Sequence, residues 1–434
     1  MLTNRRLLIA IVGTLLFAIV IIVWYFFYAK PIVAPSLSET KNPLPRESTP
    51  AKFQFLTLWG TGVSQSSKTE VVDPLKNPLI QIWGKPATGQ TFITRHPLKE
   101  FATTSMSISF DVATSSKEEK RLLRATSTSL LFVDKGTGYI YEYPLDTGVP
   151  FQVSNSIIPG VEDAYFFDDG KRVIMRYFDK EKGSIIGILA NVPNVRDGSS
   201  PLSLTKMQYL TGQVTSIAVN QKKDKASYLV GTDSGSSIYT ITPKGTVFVA
   251  SSPFKEWALA YGGEALYLTT KPSAYVEGET VLAPSFQPEI SEKTGLMSAP
   301  SSNGILLNSM WGRSGLITFL SSRGDVQVLS IKTLAPKCTF GGGVLFICAV
   351  PRIVDLPIEG LPDDWLQGGQ SFVDDLYMID MTTGEDAPLY GFSEKEGDFD
   401  IRNIVAHDNS TYISFTKKQD QTLWLLNTSI EKEQ

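Results

Sequence analysis

The chain has 434 residues, with 40 Lys and Arg against 44 Asp and Glu, for a formal charge of −4. No basic stripe runs through it, which argues against a nucleic-acid partner. If the two cysteines pair with each other, the two histidines fall short of a zinc centre unless carboxylates complete it, and we expect no cofactor.

The first element is the most informative. Residues 1–6 form a short tail ending in Arg5 and Arg6. Leu7 to Tyr28 then run for twenty-two positions without a charge. As a helix this stretch spans roughly 33 Å, enough to cross a hydrocarbon core of about 30 Å. It is longer than the apolar core of a secretory signal, about 7–15 residues. It ends in Trp24, Tyr25, Phe26, Phe27 and Tyr28, rings suited to a membrane interface. We therefore expect an uncleaved signal anchor that partners the lipid bilayer. Basic residues flank it almost evenly, so charge alone does not orient it. The short preceding tail and the cysteines discussed below place the body outside the cytoplasm, on a single-pass cytoplasmic-membrane protein.

Residues 29–51 hold five prolines among Ser, Thr, Glu and Lys. Such a composition buries no core and reads as an extended stalk, reaching about 65 Å at ~3.1 Å per residue. Residues 52–434 are a single ectodomain in this reading. One short segment, Ser116 to Arg124, has helical character. Elsewhere short apolar runs alternate with polar, glycine-containing turns. Ser129 to Val133 leads through Asp134 to Gly138 into Tyr139 to Tyr143. Ala164 to Phe167 leads through Asp168 to Lys171 into Val173 to Tyr177. Ser216 to Val219, Ala226 to Val230, Ser237 to Ile241 and Thr246 to Val249 form the next group, then Trp257 to Ala260 and Ala265 to Thr269. Later units fall at 304–330, 339–379 and 401–426. Three or four strands per roughly 40–60 residues is the period of a β-propeller. The fold expected is all-β, a propeller of about seven blades preceded by one transmembrane helix; a pair of sandwiches is the alternative. Closure would come from Phe53 to Leu58 or Leu79 to Trp83 joining the C-terminal strand Thr422 to Leu426.

The Asp168 to Lys171 turn resembles the strand–turn–strand repeats of TolB-type and WD40-like propellers. Phe132 to Tyr141, Thr269 to Ala274, Pro362 to Gln367 with Phe372 to Asp375, and Leu423 to Leu426 resemble a group of bacterial proteins with one N-terminal anchor and a propeller-like ectodomain. That resemblance implies a periplasmic or surface protein–protein role and carries no chemistry.

Cys338 and Cys348 flank a glycine-rich turn symmetrically. If Gly341 pairs with Leu345, the cysteines oppose each other at disulfide range. A bridge there predicts ~2.8 kcal/mol of loop-closure stabilisation, with no redox role because the CxxC spacing is missing. His96 and His407 lack a Gly-x-Ser-x-Gly elbow to support a hydrolase triad. Asp363, Asp364, Asp374 and Asp375 cluster around Trp365. They fit turn caps, a calcium loop or, least well, the acid–base pair of a glycosidase. The segment Pro351 to Phe372 is the first candidate recognition loop, with Trp365 as a partner anchor or a channel plug. Lys271 to Glu292 is the second. The expected function is a non-catalytic, membrane-tethered propeller that binds a protein or cell-envelope ligand. The alternatives are a propeller-scaffold enzyme acting on glycans, or a subunit of a larger membrane complex.

Overall fold

The computed structural model describes residues 77–95, 127–195, 199–312, 315–352, 360–407 and 410–430. The anchor at 7–28, the stalk, His96, Phe53 to Leu58 and the helical segment Ser116 to Arg124 lie outside them. Among the described residues, no helix is long and apolar enough to cross a membrane.

Seven four-stranded antiparallel sheets follow one another along the chain. Their innermost strands are Ala87–Arg95, Val161–Phe167, Gln213–Val219, Trp257–Gly262, Met297–Pro300, Cys338–Gly342 and Ile401–Ala406. We number the blades one to seven in that order. This is a seven-bladed β-propeller. Blades one to six are meanders of sequential strands, and blade seven takes its outermost strand from the other end of the described chain.

Position within a blade sets the sequence pattern. Second strands lie between two neighbouring blades and are buried on both faces, so they read as continuous apolar runs. In Ser127–Asp134 the side chains of Leu130, Leu131, Phe132 and Val133 are all buried. Outermost strands face solvent; Thr205–Tyr209 and Asp325–Val328 are exposed along their whole length, Met207, Tyr209, Val326 and Val328 included. The tight link after Val161–Phe167 sets Asp168 and Asp169 at φ of 54° and 52°, a left-handed conformation that aspartate tolerates.

The apolar core is divided into wedges. One buried cluster fills each blade–blade boundary: Val133 against Val161 between blades one and two, Ile174 with Val214 between two and three, Leu229 with Leu268 between three and four. Tyr267 with Phe319, Leu320 with Phe346, Ile347 with Ile413, and Leu425 with Leu130 complete the circuit. No single blade could bury both of its faces alone; the closed ring does so at every boundary.

Closure uses Leu79–Trp83, which pairs antiparallel with Leu423–Asn427 as the outermost strand of blade seven. Its Ile80 and Ile82 point inward and Gln81 outward. The inner rim of the same joint is tied separately, by the Gln90 amide donating to the Asn403 carbonyl.

Blade six carries the disulfide. Cys338 and Cys348 are directly opposed, with Cα atoms 4.1 Å apart, and they are bonded. The cysteine register is the expected one, but the expected Gly341–Leu345 pair is not formed. Gly341 is the extra residue of a bulge, and Gly342 pairs with Leu345. A glycine run makes that slip cheap, because no side chain has to change faces. A second correction concerns Lys271 to Glu292. Most of it is sheet, not loop: Glu277–Leu282 and Gln287–Thr294 are the outer strands of blade four. Its prolines sit at the edge and in the turn, where a missing N–H costs nothing.

Candidate functional site: the mouth of the central channel

The segment between Leu345–Pro351 and Asp374–Asp380 is the expected insertion, described from residue 360 onward. It does not present Trp365 to solvent. Trp365 is 1% exposed, and together with Leu361 and Phe372 it packs into the cluster between blades five and six. The helical turn Asp363–Gln367 ends on Gly368, whose φ of 88° suits glycine. A partner-anchoring role for Trp365 is therefore corrected: an apolar pocket from its own chain already holds the ring.

The reason is a buried ion cluster under the insertion. Lys337 is fully buried, and its Nζ donates to Asp374 Oδ2 at 2.5 Å and Asp400 Oδ1 at 2.6 Å. The Trp365 indole N–H reaches both oxygens of Asp400 at 3.1 Å, and the Phe372 N–H donates to Oδ2 at 3.1 Å. The Ile401 N–H donates to Asp374 at 2.7 Å. Lys418 stands 3.5 Å from Asp400 and donates to the Gln370 carbonyl at 2.6 Å. Burial resists charge on both carboxylates. For Asp374 it wins and raises the carboxyl above its usual range. For Asp400, Lys337 and the Trp365 and Phe372 donors outweigh burial and hold it low.

The four acids expected to act together do not converge. Asp374 belongs to the buried cluster. Asp375 accepts from Arg352 at 2.7 and 3.0 Å and from the Phe392 N–H at 2.9 Å. Asp363 accepts the Ala274 N–H of blade four at 2.6 Å. Asp364 is exposed, and its backbone closes the turn through Gly360 and Gln370. Each aspartate except Asp364 has its own structural partner through the carboxylate, so the group offers neither a cation cage nor an acid–base pair. Asp374 and Asp375 make ion pairs rather than the expected turn caps, and Asp363 accepts an N–H from the blade-four connection.

What the insertion supports lies beside it. A cavity of about 950 Å³ opens along the propeller axis, lined from the inner strands of blades one, two, six and seven and from the first-strand end of blade three. Its cationic residues are Lys135, Lys223, Arg402, Lys417 and Lys418, against only Glu162 and Asp163. Asp163 is already bridged to Arg176 at 2.7 and 2.5 Å. Lys135 donates to Gln421 at 2.7 Å, and Lys223 to the Phe92 carbonyl at 2.6 Å. Arg402 follows Ile401, whose N–H is fixed on Asp374, and its guanidinium lies 5.2 Å from the Trp365 ring. Lys418 lies 4.9 Å from the same ring. Trp365 is thus a platform for two rim cations.

The Arg402 carbonyl accepts from the Thr416 hydroxyl at 3.2 Å, but among the described residues its guanidinium has no hydrogen-bond or ion-pair partner. Burial lowers its pKa, opposed by Asp400 and Tyr165. Burial also lowers Lys135 and Lys418, each with Arg402 adding to the effect. The rim is a set of partly desolvated cations short of counter-charge.

Sequence reading missed this set. Arg402, Lys417 and Lys418 sit at strand starts and ends with no motif around them, and they meet Lys135 only through the ring closure. The one local signal is Arg402 beside Asn403 in an inner strand whose other residues are apolar.

No family model matches the chain, and no curated protein matches it by sequence. Solved propellers are similar in shape. The β-propeller domain of the Trilobed protease from Pyrococcus furiosus has a TM-score of 0.41 and 10% identity, over 62% of this chain and 81% of that one. Oligogalacturonate lyase from Vibrio parahaemolyticus has 0.42 and 9%, over 79% and 98%. TolB from Acinetobacter baumannii has 0.36 and 11%, over 58% and 59%. At such TM-scores these likenesses carry no argument about activity or ligand. The assignment of seven blades rests on this chain's own strand pairing.

Proposed function

We propose that this chain is a non-catalytic recognition propeller, tethered to the cytoplasmic membrane by residues 7–28 with its propeller outside, and that it takes a protein or cell-envelope ligand at the mouth of the central channel. One observation carries the reading. The channel offers a wide cavity with cations at its rim, while Asp363, Asp374 and Asp375 are taken up by ion pairs and backbone N–H groups. The Cys338–Cys348 bond supports an oxidising compartment.

Exchanging Leu7 to Tyr28 for an unrelated apolar span tests the tether. The altered protein is expected to remain in the membrane fraction and to retain its ligand. Retention in the membrane with loss of the ligand would move the recognition surface into the anchor and favour a subunit of a membrane complex. Release of the wild-type chain into the soluble fraction would remove the tether itself.

A further inference from the structure

We infer that the channel mouth is an oxyanion site, in which the Arg402 guanidinium, flanked by Lys135 and Lys418, takes a carboxylate or phosphate group carried by the ligand. This rests on the recognition reading above and specifies the chemistry that the site accepts.

The charge distribution comes first. The chain as a whole carries −4, yet the cavity lining has five cationic side chains against two carboxylates. One of those two, Asp163, is held by Arg176. The positive charge is therefore gathered in the concave part of an acidic protein, where low-dielectric walls focus the field.

Holding that charge is costly without an anion. Arg402, Lys135 and Lys418 repel one another in a partly desolvated rim, and burial lowers the pKa of all three. Lys418 is offset by Asp400 at 3.5 Å, and Lys135 by the charges of Glu162 and Asp163 and its bond to Gln421. The Arg402 guanidinium feels Asp400 and Tyr165 only through space, with no direct hydrogen bond or ion pair among the described residues. A guanidinium presents several N–H donors in a planar fork, which matches two oxygens of one carboxylate or phosphate.

Position is also fixed in advance. Arg402 and Lys418 lie on the Trp365 ring at 5.2 and 4.9 Å, and that ring is locked by its two bonds to Asp400. The buried ion cluster therefore serves as the footing of the rim. Lys337 is a positioning residue at one remove, since it holds Asp400, which holds Trp365.

The test is calorimetric titration of the purified full chain with citrate and with inorganic pyrophosphate, at low and at physiological salt. The wild-type chain is expected to bind at least one probe saturably, more weakly at higher salt. Arg402→Gln is expected to weaken binding about tenfold or more, and Arg402→Lys, which keeps the charge but loses the fork, by less. Lys206→Gln, on the exposed outer strand of blade two, removes one charge far from the channel and is expected to change nothing. Thermal melts establish that each variant is folded. Saturation by citrate alone identifies the ligand group as carboxylate, and by pyrophosphate alone as phosphate; both support the site. No binding to folded wild-type protein overturns the inference, as does equal weakening by Lys206→Gln. Neither of those results touches the tether or the recognition reading. Conversely, turnover of a glycan by the wild-type chain would end the non-catalytic reading without affecting the oxyanion site.

Discussion

Lys337→Met is expected to lower the unfolding free energy by about 3–5 kcal/mol, read as a lower denaturation midpoint in guanidinium chloride. The lysine is fully buried, and its ammonium is the nearest counter-charge to both Asp374 and Asp400. Methionine fills most of the volume, so the loss is electrostatic and not a cavity effect. It leaves two carboxylates under the insertion, with Lys418 at 3.5 Å from Asp400 as the remaining close cation. A second replacement separates the ion pair from the shape. Adding Asp374→Leu removes one of the stranded charges and is expected to restore part of the loss, because a buried pair replaced on both sides by apolar groups is often near neutral. The Ile401 N–H, which Asp374 accepts, sets the limit of that recovery. A midpoint unchanged by Lys337→Met would mean that the carboxylates are solvated or neutral without it. The footing proposed for Trp365 and Arg402 would then be absent.

Ile82→Asp should destabilise the ring by at least about 3 kcal/mol, whereas Gln81→Asp should stay within about 0.5 kcal/mol. The two positions are neighbours on the closing strand and differ only in face. Ile82 is 7% exposed and packs with Leu423 and Leu425 of blade seven and Leu130 of blade one. Gln81 points to solvent. A charge at 82 would weaken the pairing of Leu79–Trp83 with Leu423–Asn427 and leave that C-terminal strand as an unpaired edge. The stability loss should come with concentration-dependent association in sedimentation. Equal effects at 81 and 82 would show that the strand does not close blade seven in this register.

These two sites also mark what could be read from the residues. Leu79 to Trp83 was legible only as one of two candidate closing strands, beside Phe53 to Leu58, because both ends of the chain are strand-like. The second strands of the blades were legible because burial on both faces leaves an unbroken apolar run, as in Leu130 to Val133. The cysteine register followed from the symmetry of the intervening residues. Trp365 was not legible. A tryptophan among prolines, glycines and aspartates reads as an exposed loop, and its burial depends on Lys337 and Asp400, which lie far from it along the chain. Asp374 was misgrouped for the same reason: its neighbour in sequence, Asp375, turns outward to Arg352, while Asp374 turns inward to Lys337. Alternation along a strand separates them, and spacing alone does not show which face holds a counter-charge. The strands within Lys271 to Glu292 were hidden by prolines that an outer strand tolerates. The channel cations are the most non-local feature, since Lys135 and Arg402 become neighbours only when the first and last blades meet.

The central claim is that recognition happens at the channel mouth. The direct test is photo-crosslinking in membranes from two positions of the full chain. Gln421 is exposed beside Lys135 at the mouth, and Val247 is exposed on the outer strand of blade three. The account predicts a defined adduct from a photoreactive residue at 421, lost when Arg402→Gln is added, and none from 247. Adducts from 247 alone would place recognition elsewhere on the propeller, and adducts from 421 that persist with Arg402→Gln would keep it at the mouth but remove Arg402 from it.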